Sequence, residues 1–324
     1  MRGNGLTRGI LAAALLAGLG LSQPAAARAR RAAPDLSGLW TNASLTEQER
    51  PDDFKTLVVT EAEARAFEAA HRGKPPEFPP GEDDVGGSAS EWWERDVGLA
   101  RIRGQLRTSW IVNPADGQRP ATAAAKAFGK AEHARRKVDF DGPESRDPSE
   151  RCTDTGAGPP LDNGGYNDNF QFVQTPGYLA IHAEWMHDVR VIRIAAKGQA
   201  LSHPRPDLRF AGGDSIGHWE GDTLVVETTN FSPVEVRDPN HNPAADMRVI
   251  ERLTRVSPSE ILYAYAVTNP ARYTQTWQAE AVLRTTKGPI YEYACHEGNY
   301  GLPNILAGAR RLEGKAVEDV TVGR

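Results

Sequence analysis

Cysteine is nearly missing from this sequence: the 324 residues hold two, Cys152 and Cys295. One disulfide or two buried free thiols are the readings that remain. A catalytic cysteine is the weaker alternative, because a lone reactive thiol is oxidised outside the cytosol. Basic residues form no stripe and the formal net charge is -5, which argues against nucleic acid as a partner. Beyond the N-terminus no apolar run approaches the length of a membrane helix, so no stable membrane insertion is expected. No glycine-rich phosphate loop or dinucleotide fingerprint follows a strand. Gly213-Asp-Ser-Ile-Gly217 has Gly-x-Ser-x-Gly spacing, but Asp214-Ser215 with His218 offers no plausible nucleophile elbow. No internal repeat of fixed period is present. What remains is an ordinary globular composition, 25% charged and 39% hydrophobic.

The N-terminus has the form of a secretory signal peptide over residues 1–29. Arg2 and Arg8 precede the apolar run Ile10 to Leu21, and Ala25-Ala26-Ala27 and Ala27-Arg28-Ala29 are small-x-small cleavage sites. No cysteine follows the run, so a lipid anchor is not indicated. The expected location is periplasmic or secreted. In that oxidising setting a Cys152–Cys295 disulfide is expected. It would close a loop of about 140 residues and stabilise by roughly 4–5 kcal/mol in the chain-entropy model.

Residues 30–324 read as one domain. Its first part, 30–165, is rich in helix and loop; the second, 166–324, is a β meander. Asp35 to Thr41 is the first candidate strand. Thr60 to His71 is a helix with a capping box, Thr60 and Glu63. Pro75 to Ser90 is a long loop, and Trp92-Trp93 at its exit is either an aromatic plug or a pocket cover. Arg107 to Val112 is a short strand, and Thr122 to Val138 a surface helix. From Phe170 the hydrophobicity alternates. Candidate strands are Phe170–Gln174, Tyr178–Met186, Val189–Ile194, Ser215–Trp219, Thr223–Asn230, Met247–Val256, Ile261–Thr268, Tyr273–Arg284 and Ile290–Cys295. Turn chemistry joins them: Thr175-Pro-Gly177, Glu220-Gly-Asp222, Ser257-Pro-Ser259 and Asn269-Pro270. A meander of this length predicts an all-β antiparallel up-and-down barrel, because closure removes exposed edges. Leu302 to Arg311 reads as a terminal helix.

The segments TSWIVNPADGQRP, PSERC, NFQFVQTPGYLAIHAEWMHDVRVIRI, GHWEGDTLVVETTNF, VIERLTRV and IYEYACHEGNYGLPNILAGAR resemble those of a broad family of exported bacterial proteins. They cover nearly the whole chain after residue 29. That resemblance carries no catalytic residues with it. The barrel, with Gly38-x-Trp40 at its start, is similar in architecture to lipocalins and other calycins, in which a tryptophan closes one end.

The densest ionisable cluster lies at His182, Glu184, His187, Asp188 and Arg190. On a regular strand Tyr178, His182 and Glu184 share one face, either solvated surface or the wall of a cavity. His187 with Glu184 or Asp188, and His296 with Glu297, are the candidate acid–base groups. Arg190 could hold a carboxylate or steady an oxyanion. His182, Tyr178, Trp219, Asn299 and Tyr300 are the further candidate substrate contacts. No cofactor is expected. A divalent metal on His182, Glu184 and His187 is the alternative, and it requires the chain to turn before His187. The expected partner is a small organic molecule. Two functions stay open: a cofactor-independent lyase, isomerase or hydrolase, and a non-catalytic carrier using the same pocket.

Overall fold

The structure is a computed structural model that describes residues 33–71, 97–232 and 246–314. The expected signal peptide, the loop 75–90 and Trp92-Trp93 lie outside the described residues. Among those described, no helix is long and apolar enough to cross a membrane.

The chain folds as a closed β-barrel. Its strands are β1 (Gly38–Thr41), β6 (Asn169–Gln174), β7 (Tyr178–Ala183), β8 (Val189–Ile194) and β9 (Asp214–Glu220). They continue with β10 (Thr223–Thr229), β11 (Arg248–Ser257), β12 (Glu260–Thr268) and β13 (Trp277–Thr285). They neighbour one another in that order, and β13 pairs back onto β1 through Trp40↔Thr285 and Thr41↔Arg284. Next to β1, the same edge of β13 also takes β5 (Ile111–Asn113). Two short strands thus share the seam.

The barrel is mixed, which corrects the purely antiparallel expectation. Every neighbouring pair is antiparallel except β8 and β9, which run parallel with Ile192↔Ser215 and Ile194↔Gly217. Parity requires this. Strand directions can alternate all the way round only when the number of strands is even, so a ring of nine needs one parallel pair. A parallel pair needs a long return connection. Residues 195–213 supply it along the outer surface. Pro204 and Pro206 carry no amide donor to continue a ladder. The return is pinned by Asp214, which takes Arg193 at 2.9 Å and His203 Nδ1 at 2.7 Å. Asn230 Nδ2 donates to the carbonyls of Pro204, Arg205 and Leu208.

Period-two alternation fills the interior. Leu179, Ile181, Ile192, Leu224, Val226, Val249, Leu253, Ala281 and Leu283 are all fully buried. One end is closed by the hairpin turns and by Trp40. Its indole folds back over Gly38, donates from Nε1 to the Leu36 carbonyl at 3.0 Å, and lies 5.4 Å beneath the Arg255 guanidinium. Gly38 has φ +145° and a Cβ there would come within 3.4 Å of the indole, which accounts for glycine two residues before the tryptophan.

Outside the barrel, β2 (Val58–Val59), β3 (Arg101–Ile102) and β4 (Gln105–Arg107) make a small sheet. Helix α1 (Glu61–His71) packs on it through Ala64, Phe67, Leu99 and Leu106. The capping box forms as expected, with Glu63 Oε2 accepting from the Thr60 amide at 2.8 Å. Helix α2 (Ala123–Arg136) buries no residue, in keeping with its thin apolar face. The strand expected over 107–112 is split between β4 and β5. The one expected over 290–295 is absent: that chain is irregular and runs into the single turn α3 (Cys295–Gly298), followed by α4 (Gly301–Leu312). The disulfide Cys152–Cys295 is formed, with Cα atoms 5.7 Å apart. It ties α3 to the loop before the barrel, helped by Asn299 Nδ2, which donates to the Glu150 carbonyl.

Candidate ligand-binding site

The other end of the barrel is open. There β6, β11 and β13 begin, β7, β10 and β12 end, and the loop 153–168 dips inward. Ala157 and Leu161 of this loop are fully buried in the main core. A polar column beneath holds it. The Leu161 amide donates to the Tyr263 hydroxyl at 2.9 Å, that hydroxyl donates to Glu251 Oε1 at 2.8 Å, and Arg190 grips Glu251 with two bonds of 2.8 and 3.1 Å. All three side chains are buried. Burial works against the Arg190 charge, but Glu251 overrides it and keeps the guanidinium above its ordinary pKa. Burial, with the Glu251 charge adding to it, pushes the Tyr263 phenol well above its own.

Between this loop and the opposite rim lies a cavity of about 290 Å³. That is at the small end of the range for small-molecule pockets. Its walls carry Phe170, Phe231, Met247, Val267, Tyr166, Trp185, Tyr273 and Trp277. Tyr166 meets Trp185 edge-on at 5.2 Å, and Tyr273 meets Trp277 edge-on at 5.8 Å. Polar groups interrupt the aromatic lining: Gln48, Asn163, Asn269, Asp154, Asp162, Asp168, Arg119 and Arg272. Most are committed to the fold. Asp168 accepts the amides of Gly164 and Gly165, Arg119 pairs with Glu49 at 2.6 Å, and Asp154 accepts the Trp185 indole N–H at 3.3 Å. Gln48 donates to the Tyr265 hydroxyl at 3.1 Å.

The cluster at 182–190 supports this cavity more than it lines it. Only Trp185 from that stretch faces the space. Strand β7 stops at Ala183, and a 3-10 turn, Trp185–His187, follows with Met186 and His187 at positive φ. Glu184 is buried and accepts from Asn167 Nδ2 at 3.1 Å and Asn169 Nδ2 at 2.7 Å. Asp188 accepts the Ala157 amide at 3.0 Å. Both carboxylates brace the loop that forms the cavity wall. The contact is close, since a Cβ on Gly156 would stand 2.1 Å from the Trp185 carbonyl oxygen.

The remaining candidates are dispersed. Tyr178 and His182 alternate to the outer surface of the barrel and Arg190 to its interior, so the segment does not fold inward as a unit. The turn does bring His182 and His187 together, with rings 4.5 Å apart and edge-on. Burial, then the nearness of His187, holds the His182 imidazole below its ordinary pKa. Glu184 is taken up by Asn167 and Asn169 and, among the described residues, makes no hydrogen bond to either ring. Among the described residues no group of three or more His, Cys, Asp or Glu side chains is placed to share a metal ion. Trp219 packs half-buried against the core and does not line the cavity. His296, Glu297 and Tyr300 are exposed around α3, and Asn299 is spent on the disulfide region. Sequence reasoning missed Gln48, Arg119, Asn163, Asn269 and Arg272. The only available signal was the turn Asn269-Pro270, read as a hairpin joint.

Fold and site together define a closed β-barrel protein with an aromatic cavity at its mouth. Compared with protein-family models, curated proteins and solved structures, the chain has no match.

Proposed function

We propose that this protein binds a small organic molecule in the barrel mouth, in an exported and oxidising compartment. The observation that carries the reading is the cavity itself. Its lining is aromatic, and the lining residue Asn269 carries a buried Oδ1 that has no hydrogen-bond partner among the described residues. Buried polar atoms are rarely left unpaired, so a bound molecule is a natural partner. The Cys152–Cys295 bond supports the compartment.

The test is a panel of small ring compounds read by tryptophan emission and thermal shift. At least one should bind saturably at one site and raise Tm. Gly212→Trp should abolish that binding, since Gly212 lines the cavity and a Cβ there meets nothing closer than the Gly158 carbonyl at 3.5 Å; an unchanged far-UV spectrum checks that the variant is folded. Binding that survives Gly212→Trp would place the site elsewhere.

A second reading, acid–base catalysis by the His182–His187 pair beside Asp188, concerns a molecule held at the outer lip and not in the cavity, which neither imidazole lines. The depressed His182 pKa favours a neutral imidazole, the form a general base needs. His187→Ala should then lower turnover about 10²-fold while binding persists. Binding with no turnover in the wild type leaves the carrier.

A further inference from the structure

The polar atoms of the cavity also define what it selects. We propose, resting on the binding reading above, that its ligand is an uncharged ring bearing hydroxyl groups. Three observations converge.

The first is hydrogen-bond demand. Asn163 Nδ2 donates to the carbonyls of Ser44 and Thr46, which fixes its amide orientation and leaves Oδ1 buried without a partner among the described residues. Asn269 is 2% exposed and its Oδ1 is likewise unpartnered. Two residues of the cavity wall therefore carry unpaired acceptors. The Trp277 N–H lies near enough to the Tyr273 hydroxyl to oppose the rise that burial gives that phenol, yet falls outside hydrogen-bond geometry. That hydroxyl is a poorly aligned acceptor, which a ligand oxygen could replace. Hydroxyl groups meet both demands, because each donates once and accepts twice.

The second is charge. The ionised lining groups already have partners inside the protein: Arg119 holds Glu49, Asp168 takes two amides, and Asp154 takes the Trp185 indole. Carboxylates and guanidinium groups both line the space, so no single-sign field awaits an ion. An ionised ligand would lose its hydration without gaining a dedicated counter-charge.

The third is shape. Asn269 follows the end of β12 and Trp277 opens β13, where Val267 and Trp277 are register partners. Both therefore sit at one side of the mouth. The Tyr166–Trp185 pair belongs to the loop 153–168 and the turn after β7. Aromatic faces around a polar rim suit a ring, whether a sugar whose axial C–H groups lie on an indole or a phenol that packs flat.

The experiment measures affinities by titration calorimetry for three arms: methyl glycosides and disaccharides, hydroxylated and methoxylated phenols, and ring carboxylates or ring amines of the same size. A hydroxylated neutral arm should bind at least about tenfold tighter than its deoxy counterpart, and the arm that does so names the source of the ring. Asn269→Leu should weaken that arm about tenfold or more and leave the deoxy ring unchanged or tighter. Trp277→Phe should do the same if Asn269→Leu does not fold. Tightest binding by the carboxylates or amines, or equal losses for hydroxylated and deoxy rings in both variants, overturns the assignment. Those outcomes leave binding in the mouth standing. The blocking variant Gly212→Trp tests that separately.

Discussion

The two ends of the barrel are built from the same strands and behave differently. The closed end is joined by hairpin turns and sealed by one indole under one guanidinium. Apart from the short turn between β7 and β8, the mouth is joined by longer loops, and its lid, the loop 153–168, is held from below by Arg190, Glu251 and Tyr263. Short turns leave no backbone to spare, so side chains alone fill the closed end. Long loops bring backbone polar groups into the mouth, and each needs a partner. A polar column and an unfilled space follow from that.

Either end can be disrupted separately. The largest effect is expected beneath the mouth. Glu251→Leu alone leaves the Arg190 charge buried without its partner and should cost about 3–5 kcal/mol in urea denaturation. Adding Arg190→Met should recover much of that loss. If the single variant costs no more than the double one, the column is not an ion pair worth its burial. Trp40→Ala should cost a similar 3–5 kcal/mol or slightly less by opening a hole at the closed end. Ligand-dependent Tm shifts should persist in it, because the mouth is untouched. Loss of those shifts would mean that the ends are coupled. Replacing both cysteines with serine should cost about 2–4 kcal/mol. The far-UV spectrum should remain that of the intact barrel, since α4 buries no residue against it.

The smallest effect concerns pH. His182 has a folded pKa below its ordinary value of 6.5, so the unfolded chain binds more protons in that window. Its contribution to stability is fully present above about pH 6.5 and is lost as pH falls toward the folded pKa. The groups facing it are His187, which adds to the lowering, and Asp188 and Glu184, which oppose it. Chemical denaturation at pH 7 and pH 5 should show the loss, and His182→Gln should flatten that part of the profile. An unchanged profile would remove the His pair as an electrostatic feature of the lip.

Much of the barrel was legible in the residues themselves. Alternation from Phe170 onward located the strands β6 and β8 to β12 to within a residue or two, and Thr60 with Glu63 marked the start of α1. The cysteine pair and the role of Trp40 at one end were also readable. The long 178–186 strand was not, because the turn at Met186 and His187 needs positive φ that neither residue type announces. The polar cluster around His187 drew attention by composition, yet its carboxylates serve the wall of a cavity and its imidazoles face outward.

Period-two patterning and turn residues, which depend on neighbours a few positions apart, were enough to specify strands, their buried faces and a closed sheet. Tertiary structure alone decided the parallel β8–β9 pair and the meeting of Gln48, Arg119, Asn163, Asn269 and Trp277 around one space. Those depend on where the chain returns after long connections, and no local pattern records that distance.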